Sequence, residues 1–220
     1  MSAGAKTDPD ALPAPLPAGE RILWQGSPEP WSLARRAFHV RKIALYFLAM
    51  LAWRVVATIE DGASLAGAIA SAVWLLPLAL GGLALVAMLA YFAARTTIYT
   101  VTNRRVVMRI GIALPMTLNI PFRIVGSVAL KANPDGTGDI PLALQGSSRA
   151  AYLVLWPHAR PWRIARPEPM LRSIPEAARV ARLLGAAMAE VTPGIAAAPV
   201  DSRRPAGLGD AAPPLDAAAA

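Results

Sequence analysis

Residues 65–94 read LAGAIASAVWLLPLALGGLALVAMLAYFAA and contain no charged side chain. A helix needs about 20 apolar residues to cross the hydrocarbon core of a bilayer, so this stretch predicts a transmembrane helix longer than one perpendicular span. We expect the surplus to tilt or to run into the interface at one end. Pro77 predicts a kink, because its ring removes a helical hydrogen bond. The rest of the chain is too short to bury such a helix in a soluble core.

A second apolar stretch, residues 43–59 (IALYFLAMLAWRVVATI), precedes the first and is interrupted by Arg54. The two stretches predict a transmembrane hairpin over residues 43–94, with spans at 43–59 and 65–94. Two interpretations of Arg54 stay open. Its side chain can reach the lipid headgroups from near the end of the span, which we favour, or it can pair with a partner protein or a pigment carboxylate.

Basic residues flank both outer ends of this hairpin, whereas the short loop between the spans has two acidic residues and no basic one. The positive-inside rule therefore predicts that both termini face the cytoplasm. Residues expected at the membrane surface, or serving topology, are Arg35, Arg36, Arg41, Lys42 and Arg95.

The composition restricts the chemistry open to the chain. It has 220 residues, a net charge of +8, two histidines and no cysteine, which excludes disulfides, iron–sulfur clusters and thiolate catalysis. Residues 95–190 hold thirteen basic and five acidic side chains. A basic domain tethered to a membrane meets anionic lipid first, and no nucleic-acid recognition motif accompanies the charge.

After the hairpin the apolar pattern becomes alternating, which predicts strands at 97–102, 105–110, 113–120 and 124–130. Residues 133–138 (NPDGTG) predict a hairpin turn. Shorter strands are expected at 140–144, 152–156 and 162–165, and an amphipathic helix is expected to end near Val191. The predicted fold is an α+β membrane protein, in which the two-helix hairpin carries a small antiparallel β domain (95–191) closed by a C-terminal helix.

The segments that flank the hairpin and the domain differ from them in composition. Residues 1–18 and 192–220 are rich in Ala and Pro and are expected to be disordered tails. Residues 19–42 predict a cytoplasmic segment. In it, residues 19–28 form either a strand packed on the domain or an interfacial anchor through Trp24 and Trp31. A basic helix capped by Ser32 then continues into the first span.

Motifs for catalysis are absent from the sequence, so we do not expect an enzyme. His158 is interpreted as a surface loop residue, with a general base as the less favoured alternative. His39 precedes the first span and can ligate the metal of haem or bacteriochlorophyll through a neutral imidazole, although an interfacial histidine without metal is favoured.

Two further groups of residues are candidate interaction sites. Aromatic and basic side chains around two prolines predict a docking loop, although one tryptophan can instead fill the domain core. Small residues on the second span permit close helix approach. The loop candidates are Trp156, His158, Arg160 and Trp162, and the packing candidates are Gly67, Ser71, Gly81 and Gly82.

Three segments together carry a family resemblance: GERILWQGSP at 19–28, FHVRKIALYF at 38–47 and TIYTVTNRRVVMRIGIALP at 97–115. In this order, around a two-helix hairpin, they resemble the photosynthetic-complex assembly proteins of purple bacteria, encoded near the reaction-centre H subunit. The last segment alone is similar to a wider class of bacterial membrane-tethered pleckstrin-homology-like domains. The likeness covers about residues 19–190.

The resemblance implies a non-enzymatic factor that assists assembly of the reaction centre and core light-harvesting complex in the bacterial cytoplasmic (intracytoplasmic) membrane. Expected partners are reaction-centre and core antenna subunits and anionic membrane lipid, with a homodimer as a further candidate and no nucleic acid. No resident cofactor is expected. Two rivals remain: a general lipid- or protein-binding pleckstrin-like module unrelated to photosynthesis, and a tetrapyrrole carrier that uses His39.

Overall fold

The computed structural model describes residue 12 and residues 15–112, 114–145, 152–161, 164 and 167–191. Most of the predicted N-terminal tail, the whole C-terminal tail and Trp162 lie outside the described residues, as does most of the strand predicted at 162–165. The described chain combines apolar helices with antiparallel sheets, in agreement with the predicted α+β class.

Four helices precede most of the sheet structure. They are α1 (Pro30–Arg36), α2 (Val40–Glu60), α3 (Leu65–Val73) and α4 (Leu76–Thr96). Both α2 and the α3–α4 pair are long and apolar enough to cross a membrane, which agrees with the two spans predicted by the sequence. None of the residues of α2 is buried.

The continuous helix predicted from Ser32 into the first span is wrong. α1 ends at Arg36, and His39 then adopts a left-handed backbone conformation (φ 54°) immediately before α2 begins. The cap is also different, because the Glu29 carboxylate accepts the N–H groups of Trp31 and Ser32. The chain therefore turns between α1 and α2, so that α1 packs on the domain and α2 departs from it.

Pro77 divides the long apolar stretch, as predicted. α3 ends at Val73 and α4 begins at Leu76, with Pro77 in the first turn of α4. At that position the proline lacks only an N–H that has no partner within the helix, so it starts α4 without cost.

The first sheet has the order β1-β2-β3-β4 with antiparallel neighbours. Its strands are β1 (Ile22–Gly26), β2 (Ile98–Thr102), β3 (Arg105–Ile110) and β4 (Met116–Pro121). β1 confirms the strand predicted before the hairpin, and it pairs with the strand that directly follows the hairpin. Both apolar helices are thus inserted between two neighbouring strands of one sheet.

The second sheet is built around β7. β5 and β6 pair with β7, which also pairs with β8, and all of these pairings are antiparallel. The strands are β5 (Val125–Val128), β6 (Lys131–Ala132), β7 (Thr137–Leu144) and β8 (Met170–Pro175). The turn between β6 and β7 confirms the prediction for residues 133–138, with Gly136 at φ 76°.

Two further elements complete the domain. The strand predicted at 152–156 is wrong, since residues Tyr152–Leu155 form a short helix, α5, and β8 was not predicted. α6 (Ala177–Val191) confirms the C-terminal helix. Its apolar stripe, including Val180 and Leu184, packs into the core between the sheets.

Candidate functional site

The helices and the domain meet at a junction to which α1 and α4 both contribute. Here α1 packs against the last turns of α4, and small residues of α4 permit the close contact. The buried members of this cluster are Leu33, Ala34, Ala37, Phe38, Ala90, Ala93 and Ala94. Because α1 precedes α2, the contact brings the start of α2 and the end of α4 to the same end of the hairpin.

α1 is also fastened to the second sheet by polar contacts. The hydroxyl groups of Ser32 and Thr137 are 2.9 Å apart, and the Glu29 N–H donates to the Ser173 carbonyl over 2.8 Å. Arg36 lies 3.4 Å from Asp135, whose pKa is lowered chiefly by a hydrogen bond from the Thr137 hydroxyl. α1 therefore links the second sheet to α4.

A cavity of about 510 Å³ lies at this junction, between α4, the turn joining β3 to β4, and the segment after α5. Its walls are mainly apolar, and its size falls within the range of small-molecule sites, about 300–1,000 Å³. We call it the junction cavity. It is lined in part by Leu89 and Ala93 of α4, Ile112 and Leu114 of the turn, and Trp156 and His158.

His158 and Thr97 are the polar residues in the lining of the junction cavity, and both ring nitrogens of His158 have hydrogen-bond partners. The Tyr99 hydroxyl lies 2.6 Å from Nδ1, and the Thr97 hydroxyl lies 3.1 Å from Nε2. Because the Tyr99 oxygen accepts the Arg172 N–H, the Tyr99 O–H is satisfied by donating to Nδ1. This network assigns the proton of the imidazole to Nε2, which donates to Thr97.

Burial keeps this pair of rings uncharged. It lowers the pKa of His158 to about 3, with the charge of Arg172 acting in the same direction. Burial also raises the pKa of Tyr99. An imidazole that stays neutral and has both nitrogens engaged serves as a structural hydrogen-bonding group, so the interpretation of His158 as a surface loop residue is wrong.

Arg172 connects three parts of the junction from its position on β8. Its guanidinium donates to the Pro157 carbonyl over 2.8 Å and to the Arg36 carbonyl, at the end of α1, over 3.2 Å. Burial lowers the pKa of Arg172, and the nearby Asp139 opposes that effect. Asp139 in turn accepts the Ser173 N–H over 2.8 Å. The buried guanidinium of Arg172 thus links β8 to the end of α1 and to the segment after α5.

The predicted tetrapyrrole ligand, His39, lies apart from this network. Its side chain is exposed at the break between α1 and α2, and desolvation, with Lys42 and Arg172, lowers its pKa. A lowered pKa favours the neutral imidazole that ligation requires. Among the described residues, no group of three or more His, Cys, Asp or Glu side chains is placed to hold a metal ion.

The predicted docking loop is only partly outward-facing. Trp156 is half exposed and packs edge-to-face on Phe38, with ring centroids 5.1 Å apart, so it covers the junction cavity instead of filling the domain core. Arg160 is paired with Glu168 at 2.8 Å. His158 points inward, and Trp162 lies outside the described residues.

The basic residues at the domain end of the hairpin differ in their exposure and contacts. Arg41 and Lys42 are exposed in the first turn of α2, and Arg35 is half-buried on α1. Arg95, in the last turn of α4, lies over the Tyr91 ring at 5.5 Å from its centroid. Apart from Arg36, this set therefore remains available to anionic groups.

The four small residues predicted for helix packing fall into two pairs. A Cβ on Gly82 would lie 3.2 Å from the Phe47 ring of α2, and the Ser71 hydroxyl lies 3.1 Å from that of Thr58. Both therefore face α2 within the molecule. Gly81 has open space around it, and the atoms nearest to a Cβ on Gly67 belong to Ala63 and Ser64, just before α3.

Sequence reasoning missed the junction cavity and the buried network. Tyr99 and His158 are 59 residues apart, and Arg172 donates across 136 residues to Arg36. Patterns among neighbouring residues do not predict hydrogen bonds between segments so far apart in the sequence. The one available signal is Tyr99, which alternation places on the inner face of β2 and whose hydroxyl needs a partner when buried.

Comparison with known proteins identifies the class. The model of the bacterial PH domain family matches residues 40–188, and the chain belongs to that family. The match includes both apolar helices and the described strands other than β1.

A curated relative from Rhodobacter capsulatus is 45% identical over 192 residues, which cover 86% of this chain and 89% of the relative. It is described as an uncharacterized 23.7 kDa protein in the puhA 5′ region. No solved structure matches the chain.

Proposed function

We propose that this protein is a non-enzymatic assembly factor for the photosynthetic reaction centre and core light-harvesting complex. In this proposal α2 and α3–α4 anchor it in the cytoplasmic membrane, with both termini on the cytoplasmic side. Support for the photosynthetic role comes from the relative, whose gene lies beside puhA, a photosynthesis gene. The resemblance noted in the sequence points in the same direction.

The exposed surface of α2 carries the structural side of the proposal. The window of α2 that is apolar enough to span a membrane has none of its residues buried within the molecule. Its outward side chains include the aromatic residues Tyr46 and Trp53. Such a surface must be covered by lipid or by other apolar helices, and nascent pigment-protein helices are partners of that kind.

The distribution of small residues suggests where a partner helix would pack. Ser71 and Gly82 are already used against α2, whereas Gly81 opens on the outside of α4. In membranes, helices associate through close backbone approach at such small residues. We expect Gly81, with Gly67 on α3, to form the contact with a partner helix.

The test begins with a clean deletion of the gene in the source organism. We expect loss of the core-complex bands in the near-infrared absorption of the membranes and reduced reaction-centre subunits on a blot, with pigment synthesis unchanged. A normal spectrum with normal subunit levels would overturn the assembly role.

Complementation of the deletion strain then tests whether the partner helix packs on Gly67 and Gly81. A Gly67→Leu/Gly81→Leu variant should accumulate to normal levels and fail to restore the core complex. Gly82→Ala, which adds only a methyl group on the inner face, is the matched control and should restore it. Full rescue by both variants would remove the packing surface from the proposal.

The alternative is a tethered lipid- or protein-binding module with no part in photosynthesis, which membership of the bacterial PH domain family equally supports. The exposed basic residues at the end of the hairpin favour an anionic lipid surface in either case. An unchanged photosynthetic spectrum together with a general envelope defect in the deletion strain would favour this alternative.

A further inference from the structure

The turn between β3 and β4 is apolar and projects from the domain. Leu114 is 86% exposed and Ile112 is 46% exposed, and both line the junction cavity with the half-exposed Trp156, so they belong to one apolar surface. Gly111 has φ 116°, and a Cβ there would collide with the Leu114 carbonyl group. The close approach of Gly111 to the Leu114 carbonyl therefore requires glycine at position 111.

The turn lies beside the membrane-facing part of α4. It shares the junction cavity with Leu89 and Ala93 of α4. Leu89 precedes Arg95 by six residues, or about 9 Å along the helix axis. The headgroup regions together add only about 10–15 Å to a hydrocarbon core of about 30 Å. If Arg95 lies at the headgroups, the turn beside Leu89 reaches the acyl chains.

The surroundings of the junction cavity match a phospholipid. Aliphatic side chains line the cavity next to α4, and Trp156, half exposed at its edge, is a residue type that favours the membrane interface. Arg41, Lys42 and Arg95 are exposed at the same end of the hairpin, where they complement an anionic phosphate. The basic side chains thus match the phosphate of a phospholipid, and the apolar cavity matches one of its acyl chains.

We propose that the β3–β4 turn and Trp156 insert into the bilayer beside α4, and that an acyl chain of a membrane phospholipid occupies the junction cavity. The domain is then bound to the same membrane twice, through the hairpin and through this turn. The inference rests on the proposed membrane insertion of α4 and is independent of the assembly role.

The absence of cysteine from the chain makes the test clean, because each introduced cysteine is the only one. Full-length single-cysteine variants are labelled with the fluorophore NBD and reconstituted in vesicles of phosphatidylcholine and phosphatidylglycerol. Quenching by lipid that carries a doxyl group on its acyl chain is then measured. Leu114→Cys reports on the turn, and Met116→Cys reports on the cavity.

Two variants calibrate the measurement. Leu80→Cys, on the exposed surface of α4, should be strongly quenched if α4 spans the membrane. Arg123→Cys follows the other end of β4, about 20 Å from the turn by the rise of an extended strand, and should be unquenched. Both positions are exposed, so labelling does not require the core to open.

We expect Leu114→Cys and Met116→Cys to show blue-shifted emission and quenching comparable with that of Leu80→Cys. Quenching at Leu80 without quenching at Leu114 would overturn the inference and leave membrane insertion of α4 intact. Quenching at Leu114 with a blue-shifted but unquenched Met116 would mean that protein fills the cavity, which overturns the lipid occupant. An unquenched Leu80 would overturn the membrane anchor itself.

Discussion

The domain and the hairpin follow opposite rules of burial. In the domain, apolar side chains are enclosed between two sheets and α6, and even an arginine is buried with hydrogen-bonding partners. In the hairpin, large apolar side chains such as Leu48 and Trp53 face outward, and the helices touch through a few small residues. The core of the domain is thus buried within the chain, whereas most large apolar side chains of the hairpin are left to its surroundings.

This difference shows that the domain and the hairpin place different demands on the exact identity of their residues. A self-contained domain needs accurate internal polar contacts, because each unpaired buried polar group costs free energy. A hairpin in an apolar environment needs only a suitable length, a few points of close approach and charges at its ends. We therefore expect substitutions of equal chemical size to have very different effects in the two regions.

The largest effect is expected for Arg172→Met, which removes the buried cation of the junction. The carbonyls of Pro157 and Arg36 would lose their donor, and Asp139 would lose the nearby positive charge. We expect a loss of about 3–5 kcal/mol in the free energy of unfolding. Chemical unfolding of the full chain in micelles measures it. Arg182→Met, on the exposed face of α6, should be nearly neutral; equal losses would contradict the special role of Arg172.

A second effect follows from the lowered pKa of His158. The unfolded chain takes up a proton below about pH 6.5, whereas folded His158 stays neutral down to about pH 3. Because the unfolded state then binds more protons, the free energy of unfolding should fall by about 1.4 kcal/mol for each unit by which the pH is lowered between these values.

Unfolding between pH 7 and 4.5 measures this slope. His158→Gln should reduce it, while His39→Gln, at the other histidine of the chain, should retain most of it. A slope that survives in His158→Gln would assign the titration to another group.

The hairpin offers a matched pair of neighbouring glycines. Gly82→Leu should force α4 away from Phe47 of α2 and cost about 1–3 kcal/mol, as overpacking typically does. Gly81→Leu should leave the isolated protein unchanged, because open space surrounds that position. Titration with a denaturing detergent compares the two. A larger cost at Gly81 would contradict the described packing of α2 on α4.

The smallest effect concerns the hydrogen bond between Thr58 and Ser71, whose hydroxyls are 3.1 Å apart on α2 and α3. Interhelical bonds of this kind contribute about 0.6 kcal/mol on average. A double-mutant cycle with Thr58→Val and Ser71→Ala isolates the coupling. Since both hydroxyls also bond to carbonyls of their own helices, a coupling near zero would show that those local bonds suffice.

Much of the architecture could be predicted because it depends on local periodicity. A run of apolar residues fixes the length of a helix, and alternation fixes the inner face of a strand such as β3. Predictions were wrong where contacts with distant segments decide the secondary structure and the local sequence does not. Residues 152–156 alternate less than the other strands and end at a proline, and there the tertiary structure favours the helix α5.

The candidate site was predicted only in its outer parts. Composition alone shows which residues are basic and that they flank the spans, since net charge and topology are properties of short segments. Trp156 was recognised as an interaction residue, but its contact with Phe38 joins segments more than 100 residues apart.

The sequence by itself determined the class of the protein: two apolar helices, a small antiparallel domain, a closing helix and charge at one end of the hairpin. Only the tertiary structure decided that His158 is buried, that Arg172 holds α1, and that the β3–β4 turn meets α4 around a cavity. The physical reason is range. Periodicity and hydropathy act over a few residues, whereas a buried hydrogen bond depends on which distant segment folding brings within about 3 Å.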